Sequence, residues 1–211
     1  MDFAEERNEV AYFLRRIYAQ RLTTCSGGNV SRRINDKLVA VTAGSTDKAR
    51  MRPQQVALYE MSGKTLTPDL SPSKETTMHL RIYQRCPEVG AVIHAHPPHA
   101  TVFCCVDTPI NIELLAETYA LVDPPVVAPF ALSGSDELAE AVSECATRSS
   151  SILMRSHGVT TTGKDLLQAF NRLELLEAAA FTTLTAQRLE GAQPLTTQQK
   201  HALDRLVGRS V

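Results

Sequence analysis

Apolar and polar positions alternate with two different periods along the chain, and each change of period marks an element. Phe3, Val10, Phe13, Leu14 and Ile17 fall near helical spacing, so the opening segment reads as an amphipathic helix. Gly27-Gly28 and Asn35-Asp36 then punctuate two short β-like runs, Val30 to Arg33 and Leu38 to Thr42, which predicts a hairpin. Val56 to Tyr59 reads as a further strand, turned at Ser62-Gly63 and followed by a polar, proline-bearing loop. Glu75 to Cys86 is predicted helical, with Ser73 as N-cap, Met78, Ile82 and Tyr83 on its apolar face, and Pro87 ending it. Val89 to His96 reads as a strand stopped by Pro97-Pro98.

The second half continues the alternation. A short helix is predicted from about His99 to Val106, Leu114 to Val122 fits neither period clearly, and Val126-Val127 reads as a short strand. Ser133 to Arg148 reads as a helix striped by Leu138, Ala141, Val142 and Cys145. Ser151 to Met154 and Val159 to Thr162 read as paired strands around Ser156-His157-Gly158. A long helix is expected from Lys164 to about Leu189, and a last one from Thr196 to Val207. With no internal repeat, low-complexity segment or linker, residues 1–211 are expected to form one α/β domain with a mixed or mainly antiparallel sheet.

Composition narrows the function classes. Hydrophobic residues make up 43% and charged residues 21% of the 211 residues, enough for a sizeable core. A net charge of −1, without a long basic run, gives no footprint for nucleic acid or for an acidic membrane surface. The opening segment is charged from Asp2 and lacks the apolar core of a signal peptide, and no stretch approaches the roughly 20 apolar residues of a membrane span, so a cytoplasmic protein is expected. Cys25, Cys86, Cys104, Cys105 and Cys145 are odd in number and form no C-x-x-C pair, so reduced, mostly buried thiols are expected. A reactive or metal-binding Cys104-Cys105 pair lacks ligand spacing.

Candidate chemistry centres on histidine. In a strand, His94 and His96 project from the same face, a geometry that suits a shared metal ion and equally suits two polar residues meeting solvent at a strand end. His157 sits at a bend where a side chain can reach a cleft or cap the turn. Glu75 lies in the first turn of a helix, where the dipole alone favours an acid. Together, three histidines and a carboxylate make a normal zinc set. A second group suits an anion. Gly27, Gly28 and Asn29 offer backbone and amide donors, Gly44-Ser45 is another small turn, and Ser71, Ser73 and Lys74 lie at a helix start.

Taken in order, these segments resemble the class II aldolase/adducin family. SGGNVS (26–31) is similar to its glycine-rich phosphate loop, SPSKETTMH (71–79) to its Ser-x-Glu helix start, HAHPPHA (94–100) to its metal-binding strand and SHGV (156–159) to its third-histidine turn. The resemblance implies a helix-flanked central β-sheet and a homotetramer with active sites between subunits. It implies Zn2+, or another divalent metal such as Mn2+ or Co2+, on Glu75, His94, His96 and His157, with Glu75 also the acid/base. Gly27, Gly28, Asn29, Gly44, Ser45, Ser73 and Lys74 would hold a substrate phosphate. The activity implied is cleavage of a ketose 1-phosphate, such as L-fuculose 1-phosphate, to dihydroxyacetone phosphate and an aldehyde through an enediolate. Family alternatives are decarboxylation of a phosphorylated 3-oxo sugar acid, epimerisation of a pentulose phosphate, dehydration of methylthioribulose 1-phosphate, and a non-catalytic adducin-like assembly module. The sequence departs from the pattern at Lys74, which replaces the second serine of Ser-Ser-Glu, and at Gly44-Ser45, which inverts the usual turn. Leu115 stands where fuculose-phosphate aldolases carry a catalytic tyrosine, with Glu117 and Tyr119 nearby, and no tyrosine follows Tyr119.

Overall fold

The computed structural model describes residues 3–189 and 191–209. Its centre is a seven-stranded sheet, numbered along the chain as β1 (Asn29–Arg33), β2 (Leu38–Thr42), β3 (Val56–Glu60), β4 (Ala91–Ala95), β5 (Val126–Ala128), β6 (Ser151–Met154) and β7 (Gly158–Gly163). The spatial order is β3-β2-β1-β4-β7-β6-β5, antiparallel throughout except for the parallel β5–β6 pair. The mainly antiparallel α/β domain expected from the sequence is therefore the observed one.

Helices cover both faces. α1 (Ala4–Ala19) and α6 (Leu166–Ala186) pack on one, burying Val10, Leu14, Ile17, Phe170 and Leu173 against Val30, Ile93 and Val159. α2 (Thr76–Arg85) and α5 (Asp136–Ala146) cover the other, burying Met78, Ile82, Leu138 and Val142 against Val41, Val92 and Ile152. Each such side chain contributes on the order of 1.5–3 kcal/mol of burial free energy. β4 lies between β1 and β7 and is buried along its whole length, with Ala91, Ile93 and Ala95 on the α1/α6 side and Val92 on the other. Between α2 and α5 lie the short α3 (Ala100–Phe103) and α4 (Ala116–Leu121), which resolves the ambiguous segment, and α7 (Thr197–Val207) follows α6.

Element edges show where local chemistry differs from the expected boundaries. Ser73 does not cap α2: Glu75 occupies the cap position, and Ser73 Oγ reaches its backbone N–H only at 3.5 Å. α5 starts later than expected because Gly134, at φ +83°, breaks the chain, and Ser135 caps the helix by accepting from Leu138 N–H at 3.1 Å. β4 ends at Ala95, so His96 stands just beyond the strand. All five cysteines are free, with Cys86, Cys104 and Cys145 buried. Among the described residues, no helix is long and apolar enough to cross a membrane.

Candidate metal centre and anion cleft

Three elements converge on the histidines. His94 is buried on β4, His96 follows it, and His157 is presented by the β6–β7 turn, where Ser156 takes a left-handed φ of 55°. The His94 and His96 ring centroids are 4.8 Å apart, His94 and His157 4.8 Å, and His96 and His157 5.6 Å. One ring nitrogen from each lies within 4.8 Å of the others, a spacing a single ion can bridge. Backbone closes round His96: a Cβ on Gly27 would lie 2.7 Å from its Nδ1, and one on Gly158 2.5 Å from its Cδ2.

Glu75, at the head of α2, turns inward instead of capping its helix. Its Oε2 lies 3.3 Å from His94 Nε2 and its Oε1 3.2 Å from His157 Nε2. Asn29 Nδ2 donates to Oε2 at 2.8 Å, and Ser133 Oγ donates to Oε1 at 2.9 Å. Burial alone would raise the Glu75 pKa; the neighbouring His94 and hydrogen bonds from His157 and Asn29 outweigh it and hold the carboxyl below the usual range. The group is therefore a carboxylate.

His94 tests whether a cation fits. Its Nδ1 lies 2.9 Å from the Val159 carbonyl, which can only accept, so Nδ1 carries the proton and Nε2 presents a lone pair. That buried Nε2 has no hydrogen-bond partner among the described residues and faces a carboxylate oxygen, another acceptor. Two acceptors in this position repel unless a positive centre lies between them, so the donor set fits a metal ion. The carbonyl that orients His94 is the usual companion of a ligating histidine. Burial also lowers the pKa of His94, and it brings His96 down to about 4, helped by the repulsion that a proton there would meet from one on His94 or His157; both are neutral imidazoles, the form a metal ion takes.

The histidines open into a cleft of about 380 Å³. The expected anion residues Gly27, Gly28, Gly44, Ser45, Ser73 and Lys74 all line it, with Ser26 and Pro72. Gly44 N–H donates to the Ser71 carbonyl at 2.9 Å, tying that turn to the start of α2, and Ser45 holds a left-handed φ of 53°. Asn29 also lines the cleft, but its amide is engaged by Glu75 and by His79. Tyr119 does not reach the cleft within the chain; its hydroxyl donates to Asp204 at 3.0 Å, and Glu117 and Leu115 are exposed.

Three polar residues beyond the expected set belong here. Lys48 lines the cleft at only 3% exposure, with its Nζ 3.2 Å from Thr46 Oγ1, and burial lowers its pKa. Nothing in its polar loop marks it. Ser133, from the loop before α5, holds Glu75 across 58 positions of sequence, a contact no local pattern encodes. His79 is different: it follows Glu75 by four residues on a helix, and that spacing places the two on one face.

Residues 8–184 match the class II aldolase and adducin N-terminal domain family. A 3-oxo-tetronate 4-phosphate decarboxylase of Haemophilus influenzae is 35% identical over 181 residues, covering 83% of this chain and 86% of that protein. An L-fuculose phosphate aldolase of Methanococcus maripaludis is 32% identical over 171 residues, covering 79% of this chain and 89% of that protein. A solved structure of an L-fuculose 1-phosphate aldolase is similar with a TM-score of 0.87 at 25% identity, over 97% of this chain and 96% of that one.

Proposed function

The chain belongs to the class II aldolase and adducin family, and from that premise we propose that it is a divalent-metal-dependent lyase. Its substrate is a ketose 1-phosphate of the L-fuculose 1-phosphate kind, cleaved to dihydroxyacetone phosphate and an aldehyde. The observation that supports this most directly is an ionised carboxylate set against three clustered histidines in a cleft suited to anions.

His94, His96 and His157, with Glu75 as fourth donor, would hold the ion, and three imidazole nitrogens with one carboxylate suit zinc. When bound, the ion supplies Lewis-acid stabilisation of the negative charge that develops on the substrate's carbonyl oxygen. The remaining chemistry belongs to the chain. Cleavage passes the proton of the hydroxyl on the aldehyde side to the Glu75 carboxylate, breaks the carbon–carbon bond and leaves the electron pair on the carbon beside the carbonyl, conjugated as an enediolate. Glu75 returns a proton to that carbon; Asn29 and Ser133 aim its carboxylate. Gly27, Gly28, Gly44, Ser45, Ser73 and Lys74 hold the phosphate, with Lys48 as the buried counter-charge. Assembly as a homotetramer in the cytoplasm is part of the same proposal.

A second reading is decarboxylation of a phosphorylated 3-oxo sugar acid. Two lysines on one cleft, Lys48 and Lys74, suit a substrate that carries a carboxylate as well as a phosphate. Loss of carbon dioxide leaves the same electron pair, and the proton that quenches it enters from water through Glu75. The test is to incubate the zinc-loaded protein with L-fuculose 1-phosphate and, separately, with 3-oxo-tetronate 4-phosphate, following dihydroxyacetone phosphate and carbon dioxide. Dihydroxyacetone phosphate from the first supports aldol cleavage; carbon dioxide from the second alone selects the decarboxylase. A protein that binds no divalent ion and turns over neither would instead be an adducin-like assembly module.

A further inference from the structure

Behind Glu75, Asn29 leads into a line of buried polar side chains, His79, Ser31 and Tyr83, with no part in the chemistry above. Asn29 Nδ2 is 2.8 Å from Glu75 Oε2, and Asn29 Oδ1 is 2.5 Å from His79 Nε2. His79 Nδ1 is 2.6 Å from Ser31 Oγ, which is 2.8 Å from the Tyr83 hydroxyl. His79 and Ser31 are completely buried, and Tyr83 and Asn29 nearly so. Two periodicities build the line. α2 carries Glu75, His79 and Tyr83 at four-residue intervals down one face, and β1 sets Asn29 and Ser31 two apart on one side of the sheet.

The donors can be ordered in one way. A carboxylate only accepts, so the Asn29 amide must present its N–H to Glu75 and its oxygen to His79. That oxygen only accepts, so His79 Nε2 must carry the imidazole proton and Nδ1 must accept from Ser31 O–H. Ser31 oxygen then accepts from Tyr83 O–H. Burial holds the His79 pKa down to about 3, so the ring is neutral and has one proton to place. A protonated or Nδ1–H ring would break the order.

We propose that His79 is a positioning residue for Glu75, acting through Asn29, with Ser31 and Tyr83 fixing the Nε2–H tautomer that holds the amide the right way round. The two ends of an asparagine amide are nearly the same shape, so packing alone leaves its orientation open. Turned over, it would set an oxygen against the Glu75 carboxylate, so His79 keeps the aim of the catalytic carboxylate fixed. The inference rests on the reading of Glu75 as the proton-transfer group, but its first test does not depend on turnover.

In long-range proton–nitrogen correlation spectra of histidine-labelled protein at neutral pH, His79 is expected as the Nε2–H tautomer. An Nδ1–H tautomer or an imidazolium would overturn the proposal whether or not the chain is a lyase. In the active enzyme, His79→Leu removes the donor and is expected to lower kcat by about 10- to 100-fold with little change in KM. His79→Gln, whose amide N–H reaches the position of Nε2, should recover most of that loss. In an Asn29→Ala background, His79→Leu should have little further effect, because both act through one contact. Equal losses in natively folded Leu and Gln variants, or losses that multiply with Asn29→Ala, would overturn the positioning role.

Discussion

Replacing Gly158 with alanine perturbs the metal centre without altering any charge or hydrogen-bonding group. The new Cβ would lie 2.5 Å from His96 Cδ2, 3.2 Å from His96 Nε2 and 2.7 Å from the Ala95 carbonyl oxygen. Carbon atoms pack at about 3.5–4.0 Å, so the ring has to shift by about 1 Å. Gly27 closes the opposite, Nδ1–Cε1 edge of the same ring, so the shift drives His96 into backbone there. Overpacking of this kind costs about 1–3 kcal/mol, and the metal-free protein should lose that much unfolding free energy. A ligand misplaced by about 1 Å is expected to lower activity by about 100-fold. If zinc affinity falls by the same factor, the stabilisation conferred by saturating zinc shrinks by about 2.7 kcal/mol. Urea unfolding with and without zinc, together with calorimetric zinc titration, separates the two effects. A variant that loses stability but binds zinc as tightly as the parent would refute the placement of His96 as a ligand.

Two further outcomes follow from other groups. Lys48→Met should raise KM and weaken inhibition by inorganic phosphate by about 10-fold or more while leaving kcat nearly unchanged, the pattern of lost uniform binding. It should not destabilise the fold, since it removes a buried ammonium; an unchanged KM would count against Lys48 as the anion's counter-charge. The metal-free protein should also lose stability in mild acid. His96 and His79 are lowered from 6.5 to about 4 and about 3, so the unfolded chain binds protons more readily than the fold does. Their contribution is complete above pH 6.5 and is lost as pH falls through that value toward about 4 and then about 3. Urea unfolding from neutral pH to about pH 4.5 measures this, and a flat profile would contradict the neutral, buried imidazoles.

How much of this could be read from the chain depends on the distance over which each feature is encoded. Strand and helix positions were readable because period-two and period-3.6 patterning is local, and both sheet faces are covered by apolar stripes. His94 and His96 were readable for the same reason. The boundaries that moved are those set by backbone conformation: Gly134 at φ +83° shifts the start of α5, and the inward turn of Glu75 displaces Ser73 from its capping role. Ser133 and Lys48 could not be found because their partners are set by tertiary packing; the Lys48 N–H bonds the Cys25 carbonyl at 3.0 Å, which seats its side chain against the glycine loop. His79 is the instructive case. It lies four residues from Glu75, so its face could be read, but its partners Asn29 and Ser31 come from β1.

The register of β1 on β4 explains why those partners meet. Asn29 pairs directly with His94 across the sheet, so both side chains rise on the α2 side, and Ser31 follows two residues on. α2 crosses above them, and its four-residue interval brings Glu75 over Asn29 and His79 between Asn29 and Ser31. A one-residue slip of β1 would turn Asn29 and Ser31 to the α1/α6 side and bring Val30 under Glu75, leaving the carboxylate without its amide donor. It would also force Val30 out of the apolar cluster beneath α1 and α6, where it is completely buried. The burial of Val30 and the aim of Glu75 are therefore fixed by the same register. Core packing and the aim of this carboxylate cannot vary independently in this strand.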